Sequence, residues 1–145
     1  MILFFRKKKN KAENQAERVV ILTRLSADGI ITYAKSCHPN EGILILQGSH
    51  KKNTTTINGL VIPPFSTHGP FYSGFSGYEL PFDLSYIGTV HSHPSGSMRP
   101  SLEDLHNYFG LVSLIISYPY DYETMLAYDR NGNRLRIEIS SEWFC

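Results

Sequence analysis

The segment Thr89-Val90-His91-Ser92-His93-Pro94 carries two imidazoles two residues apart. Side chains alternate along an extended strand, so His91 and His93 aim at one side. Neutral imidazole is a preferred zinc ligand at about 2.0–2.1 Å. Pro94 ends the pairing there and turns the chain away. In Ser101-Leu102-Glu103-Asp104, the carboxylate lies one helical turn beyond Ser101. A loop that turns back would let Asp104 add a third, anionic ligand, leaving a fourth position for water. Zinc lowers the pKa of such a water from 15.7 to roughly 7, which makes hydroxide available at neutral pH.

Each piece also has an ordinary structural reading. The histidines suit an exposed or hydrogen-bonded pair, Ser101 with Asp104 suits a capping-box helix start, and Glu41 suits a surface carboxylate before Gly42. Other chemistries lack their parts. A zinc deaminase needs His-x-Glu and Pro-Cys-x-x-Cys, neither of which occurs, and no His-Glu-x-x-His marks a zincin helix. Cys37 and His38 are sequence neighbours and do not face each other as nucleophile and base must. Cys37 therefore reads as a small buried hydrophobe. His50, His68 and His106 share no ligand spacing.

The elements that must position these groups follow from pattern and punctuation. Val19–Leu22 reads as a strand. Leu25 to Cys37 has helical spacing, with Ser26 as the candidate N-cap and Pro39 as its end. Ile43–Leu46 reads as a buried strand stopped by Gly48, and Thr54–Ile62 as another strand. Residues 65–78 form a long irregular stretch rich in glycine and aromatics. Tyr86–Val90 is a strand, Ser101 to about Phe109 a helix, and Val112–Tyr118 a strand. Met125–Arg130 and Asn133–Ile139 flank Asn131-Gly132, a strong hairpin signal. Strands dominate with helices between them, which predicts an α/β or α+β sandwich with a mixed sheet.

With 145 residues the chain fits one domain, and 41% hydrophobic against 19% charged residues argues against disorder. Fourteen basic and 13 acidic residues give a net charge of +1, which offers no electrostatic footprint for nucleic acid. Two cysteines, Cys37 and Cys145, make no disulfide framework, so a reducing, cytoplasmic setting is expected. No apolar run approaches the roughly 20 residues of a membrane span. Residues 1–18 read as an N-terminal basic arm, in an order wrong for a secretory signal, and residues 19–145 as the folded domain.

Together, Glu41, His91-x-His93-Pro94, six residues, Ser101, two residues and Asp104 resemble the JAMM (MPN+) metalloprotease family, over roughly residues 19–139. The resemblance implies the JAMM/MPN α/β sandwich, similar to cytidine deaminases, with a mixed β-sheet flanked by helices. It implies one zinc ion per chain held by His91, His93 and Asp104. Glu41 would move the proton from the attacking water to the leaving amine, and Ser101 would donate to the oxyanion. The implied substrate is the amide bond after the C-terminal tail of a ubiquitin-like protein, held as an added strand. Phe71, Tyr72 and Phe75 are candidate contacts to that tail. A minimal, prokaryotic-type enzyme is expected, because the segment after Asp104 leaves no room for a second insertion. Two alternatives remain open: processing of a sulfur-carrier protein, and a non-catalytic MPN scaffold.

Overall fold

The computed structural model describes residues 17–63, 67–68, 73–74 and 83–142. The arm over residues 1–16 and the candidate tail contacts Phe71, Tyr72 and Phe75 lie outside them.

Strand β1 (Val19–Leu22) leads through Thr23 into helix α1 (Arg24–Cys37). Two long strands follow, β2 (Ile43–Lys51) and β3 (Thr54–Val61). A short two-stranded ladder joins β4 (Thr67–His68) and β5 (Ser73–Gly74). Strand β6 (Tyr86–His93) precedes the short helix α2 (Leu102–His106). Strands β7 (Val112–Ser117), β8 (Met125–Tyr128) and β9 (Arg134–Ile139) complete the described residues. This is the mixed α/β architecture expected, with a central sheet flanked by helices.

The main sheet runs β1-β3-β2-β6-β7-β8-β9 and closes on itself, because β1 also pairs with β9. Pairs β1/β3, β1/β9 and β6/β7 are parallel, and the remaining pairs antiparallel. The sheet packs against α1. Ala27, Ile30 and Ala34, at helical spacing, share one buried cluster with Leu22, Leu44, Leu46, Ile57, Val90, Leu114 and Ile116. Each fully buried Ile or Leu of this set contributes roughly 1.5–3 kcal/mol. A smaller cluster of Ile115, Leu126 and Tyr128, joined by Met98, occupies the opposite face of β7 and β8.

Several boundaries differ from expectation for local reasons. Thr23, not Ser26, caps α1: its Oγ1 accepts from Ser26 N at 3.2 Å, and Ser26 is itself buried inside the first turn. Gly48 does not stop β2. The strand passes through it with a bulge, and a Cβ there would lie 1.8 Å from Thr56 O, so glycine permits the backbones to approach. Gly29 inside α1 lies against Leu60, whose Cδ1 would be 2.9 Å from a Cβ there, a contact that a small movement of the leucine side chain relieves. Helix α2 is shorter than expected and ends at the Asn107 cap.

Candidate active site

Two segments and one loop converge at the C-terminal end of β6. His91 and His93 share the face of β6 that points away from α1, and both are buried. His91 stands opposite Ile43 of β2 and Ile115 of β7 in the ladder. The chain then turns at Pro94 and reaches Ser101, which caps α2. Ser101 Oγ accepts from Asp104 N at 3.0 Å, and Asp104 Oδ2 accepts from Ser101 N at 2.8 Å, a complete capping box. That reciprocal cap fixes the Asp104 carboxylate, and the turn-back of the loop aims it at the histidines. His93 Nε2 lies 3.2 Å from Asp104 Oδ2, and His91 Nδ1 lies 3.9 Å from Asp104 Oδ1.

Glu41 arrives from the loop between α1 and β2, with Oε1 3.8 Å from His93 Nε2. Beyond Ile43 opposite His91, Ser92 N donates to Gly42 O at 3.0 Å and Gly42 N donates to Ser92 Oγ at 2.7 Å. Continued one residue further, this antiparallel register sets Glu41 against His93. The structure thus brings together Glu41, His91, His93 and Asp104, with Ser101 at the edge and exposed.

The charge states follow from these neighbours. Burial pushes the Glu41 carboxyl up; the nearby His93 charge pulls against this, while Asp104 and Glu103 add to it, leaving it at about 7. Burial also works to raise Asp104, but hydrogen bonds from His93 and the Ser101 N–H, with the charges of both imidazoles, hold it down at about 2. Burial lowers His91, only partly opposed by Asp104, so that ring stays neutral to lower pH than usual. Burial acts against charge on His93 too. There the Asp104 hydrogen bond and charge, the Ser97 carbonyl and Glu41 prevail and raise its pKa.

The expectation of a bound zinc is corrected here. Among the described residues, no group of three or more His, Cys, Asp or Glu is arranged to hold a metal ion. The imidazoles instead face Asp104, His93 at 3.2 Å and His91 at 3.9 Å. The physical reason lies in the ring of His93. Its Nδ1 donates to the Ser97 carbonyl at 2.9 Å, and its Nε2 lies 3.2 Å from Asp104 Oδ2, so imidazole and carboxylate satisfy each other directly. The residue set does not fit the zinc site that the resemblance implied.

Two groups that position the site are absent from the motif as read. Ser97 supplies the carbonyl that orients His93. Ser92 ties the Glu41 loop to β6, and its only sequence signal is the strand alternation that turns it away from its two histidine neighbours.

Comparison with known proteins bears on the fold and the family. The family described as prokaryotic homologs of the JAB domain matches residues 26–131. A probable metalloprotease of Haloferax volcanii is 27% identical over 132 residues, which is 86% of this chain and 82% of that protein. A JAB1/MPN domain protein from Archaeoglobus fulgidus superposes with a TM-score of 0.63 at 35% identity, over 83% of this chain and 98% of that one. A solved structure described as a JAMM metalloprotease-like zinc site in the proteasome and signalosome gives 0.63 at 32%, over 85% and 99%. A protein from Desulfitobacterium hafniense, at 19% identity and a TM-score of 0.57 over 85% of this chain and 94% of that one, shares the fold alone. The chain therefore belongs to the JAMM/MPN family, among the prokaryotic homologs of the JAB domain.

Proposed function

We propose that this protein hydrolyses the amide bond, peptide or isopeptide, that follows the C-terminal tail of a ubiquitin-like or sulfur-carrier protein. The single observation that carries the reading is the convergence of Glu41, His93 and Asp104, from three separate segments, within 3.8 Å of one imidazole nitrogen. Glu41 is a proton acceptor poised near neutrality, the range in which a general base works best. It takes a proton from the attacking water and delivers it to the departing amine, so the proton balance closes on one carboxylate. His93, whose proton affinity Asp104 and Glu41 raise, lies between the two carboxylates and holds Glu41 in place. The Ser101 hydroxyl already accepts from Asp104 N, which leaves its own O–H free to donate to the oxyanion of the tetrahedral intermediate.

The family supports this reading, as does the relative described as a probable metalloprotease. The test is incubation of the protein with ubiquitin-like and sulfur-carrier proteins extended beyond their C-terminal Gly-Gly, with mass spectrometry of the products. One cut after the tail, lost in Glu41→Gln, is the expected result. No cleavage of any extended tail would refute the hydrolase. A second reading, a binding module of the same fold without turnover, is favoured by the engagement of both histidines with Asp104. Retained tail binding without a cut identifies it.

Among the described residues no helix is long and apolar enough to cross a membrane.

A further inference from the structure

We propose that Ser92 is the positioning residue for Glu41: its side chain supplies the return half of the rung at Gly42 that continues the β2/β6 ladder. This rests on the hydrolase reading for its kinetic part only. In an ordinary antiparallel rung two facing residues exchange N–H to C=O bonds in both directions. Here Ser92 N donates to Gly42 O at 3.0 Å as expected, but the return bond from Gly42 N goes to Ser92 Oγ at 2.7 Å. Both residues are buried, Ser92 to 3% exposure. Without the hydroxyl, the 2.7 Å bond that ties the Gly42 N–H to β6 is lost, and burial makes such a loss costly.

The other side of Gly42 is closed. A Cβ at this position would lie 2.8 Å from Cys37 Sγ and 2.9 Å from the Tyr33 ring. The residue after Glu41 thus lies between the end of α1 and the Ser92 hydroxyl, with no room for a side chain of its own. Glu41 itself must project from this clamp to sit 3.8 Å from His93. Ser92 faces away from the histidines and touches no reacting atom. Its effect on catalysis passes through the placement of the Glu41 carboxylate, and the protection of the β6 amides checks that the histidines stay in place.

The experiment compares wild type, Ser92→Ala and Ser92→Thr as purified, on a ubiquitin-like protein whose Gly-Gly terminus is joined to a fluorogenic amine. A misplaced base costs turnover more than binding, so Ser92→Ala lowers kcat by about 10–100-fold with KM changed by less than about threefold. Ser92→Thr keeps an oxygen on the same carbon and restores kcat to within about threefold of wild type. Hydrogen exchange of the Gly42 amide supplies an arm that needs no activity. Its protection falls by at least about tenfold in Ser92→Ala while the amides of β6 stay protected. If wild type cleaves and Ser92→Ala cleaves equally, or if Gly42 stays protected, the positioning role is wrong. If wild type does not cleave but Gly42 loses protection, the hydrolase reading fails and the clamp stands. Should Ser92→Ala not fold, Ser92→Cys fills the same place with a weak acceptor and carries the same expectations.

Discussion

Replacing Asp104 by Asn isolates one charge while leaving the helix cap in place. The amide oxygen still accepts from Ser101 N, and Asp104 N still donates to Ser101 Oγ, so what disappears is the attraction to His91 and His93. Folding takes this carboxyl from 3.8 to about 2. At 1.36 kcal/mol per pH unit that corresponds to about 2.4 kcal/mol, and screening of a group not fully enclosed brings the expectation to about 1.5–2 kcal/mol. The sign is that of a depressed acid. The stabilisation is complete above the unfolded value and is lost as pH falls through the folded one. It also depends on a charged His93, whose raised pKa means that its share fades as pH rises above that value. The deficit of the Asn variant is therefore largest near pH 5–6 and falls below about half of that by pH 2.5. Urea titrations of both proteins at the two pH values measure it through the midpoint at constant slope. Equal midpoints near pH 5.5, or a deficit unchanged at pH 2.5, would refute the ion pairing as drawn.

Glu41→Gln should lower turnover on a tail-amide substrate by about 10²–10⁴-fold, because the proton acceptor is gone while the shape remains. The same variant should gain stability relative to wild type as pH rises from 4.5 through about 7, since burying the ionised carboxylate costs free energy only above its ordinary pKa; melting temperatures at pH 4 and pH 8 show this. Ser101→Ala separates two roles: loss of the cap alone costs about 1 kcal/mol, whereas loss of an oxyanion donor also costs roughly 10²–10³ in kcat, and stability and kinetics measured side by side tell them apart. Gly48→Ala should destabilise or unfold the protein, because its Cβ would sit 1.8 Å from Thr56 O in the β2/β3 ladder; an unchanged urea midpoint would remove the reason offered for glycine there.

The convergence of His91, His93 and Asp104 was legible because strand alternation and a one-turn cap are local rules, needing only correct elements at each end. What spacing does not carry is the partner of the second ring nitrogen. The Ser97 carbonyl on His93 Nδ1 sits four residues away in an irregular turn, and the Asp104 carboxylate meets Nε2 directly at 3.2 Å. That is why the residue types suggested zinc and the geometry corrected it. The cap of α1 was misplaced by three residues because Ser26 and Thr23 are both good caps, and only burial of Ser26 distinguishes them. Closure of the sheet was not legible at all. The pairing of Val20 with Ile137 joins residues 117 positions apart. Strand β9 alternates strictly, with Leu135, Ile137 and Ile139 turned to the core, but alternation marks a face and says nothing of which strand pairs along its far edge.

The site depends on register more than on any one side chain. In β6 the period is two, so a slip of one residue would swing both histidines to the α1 side and bring Ser92 to face Asp104. Three devices oppose that slip. A Cβ on Gly88 would lie 2.0 Å from Val112 O, so β6 meets β7 at a spot that accepts only glycine. On the other flank β2 carries its irregularity at Leu46/Gln47, far from the site, and runs regularly from Ile45 to Ile43 against Thr89 to His91. Ser92 then completes the ladder at Gly42. Steric exclusion at one end and a hydrogen-bonded rung at the other hold the strand at a single alignment, and that alignment is what places a carboxylate from the α1–β2 loop beside an imidazole from β6.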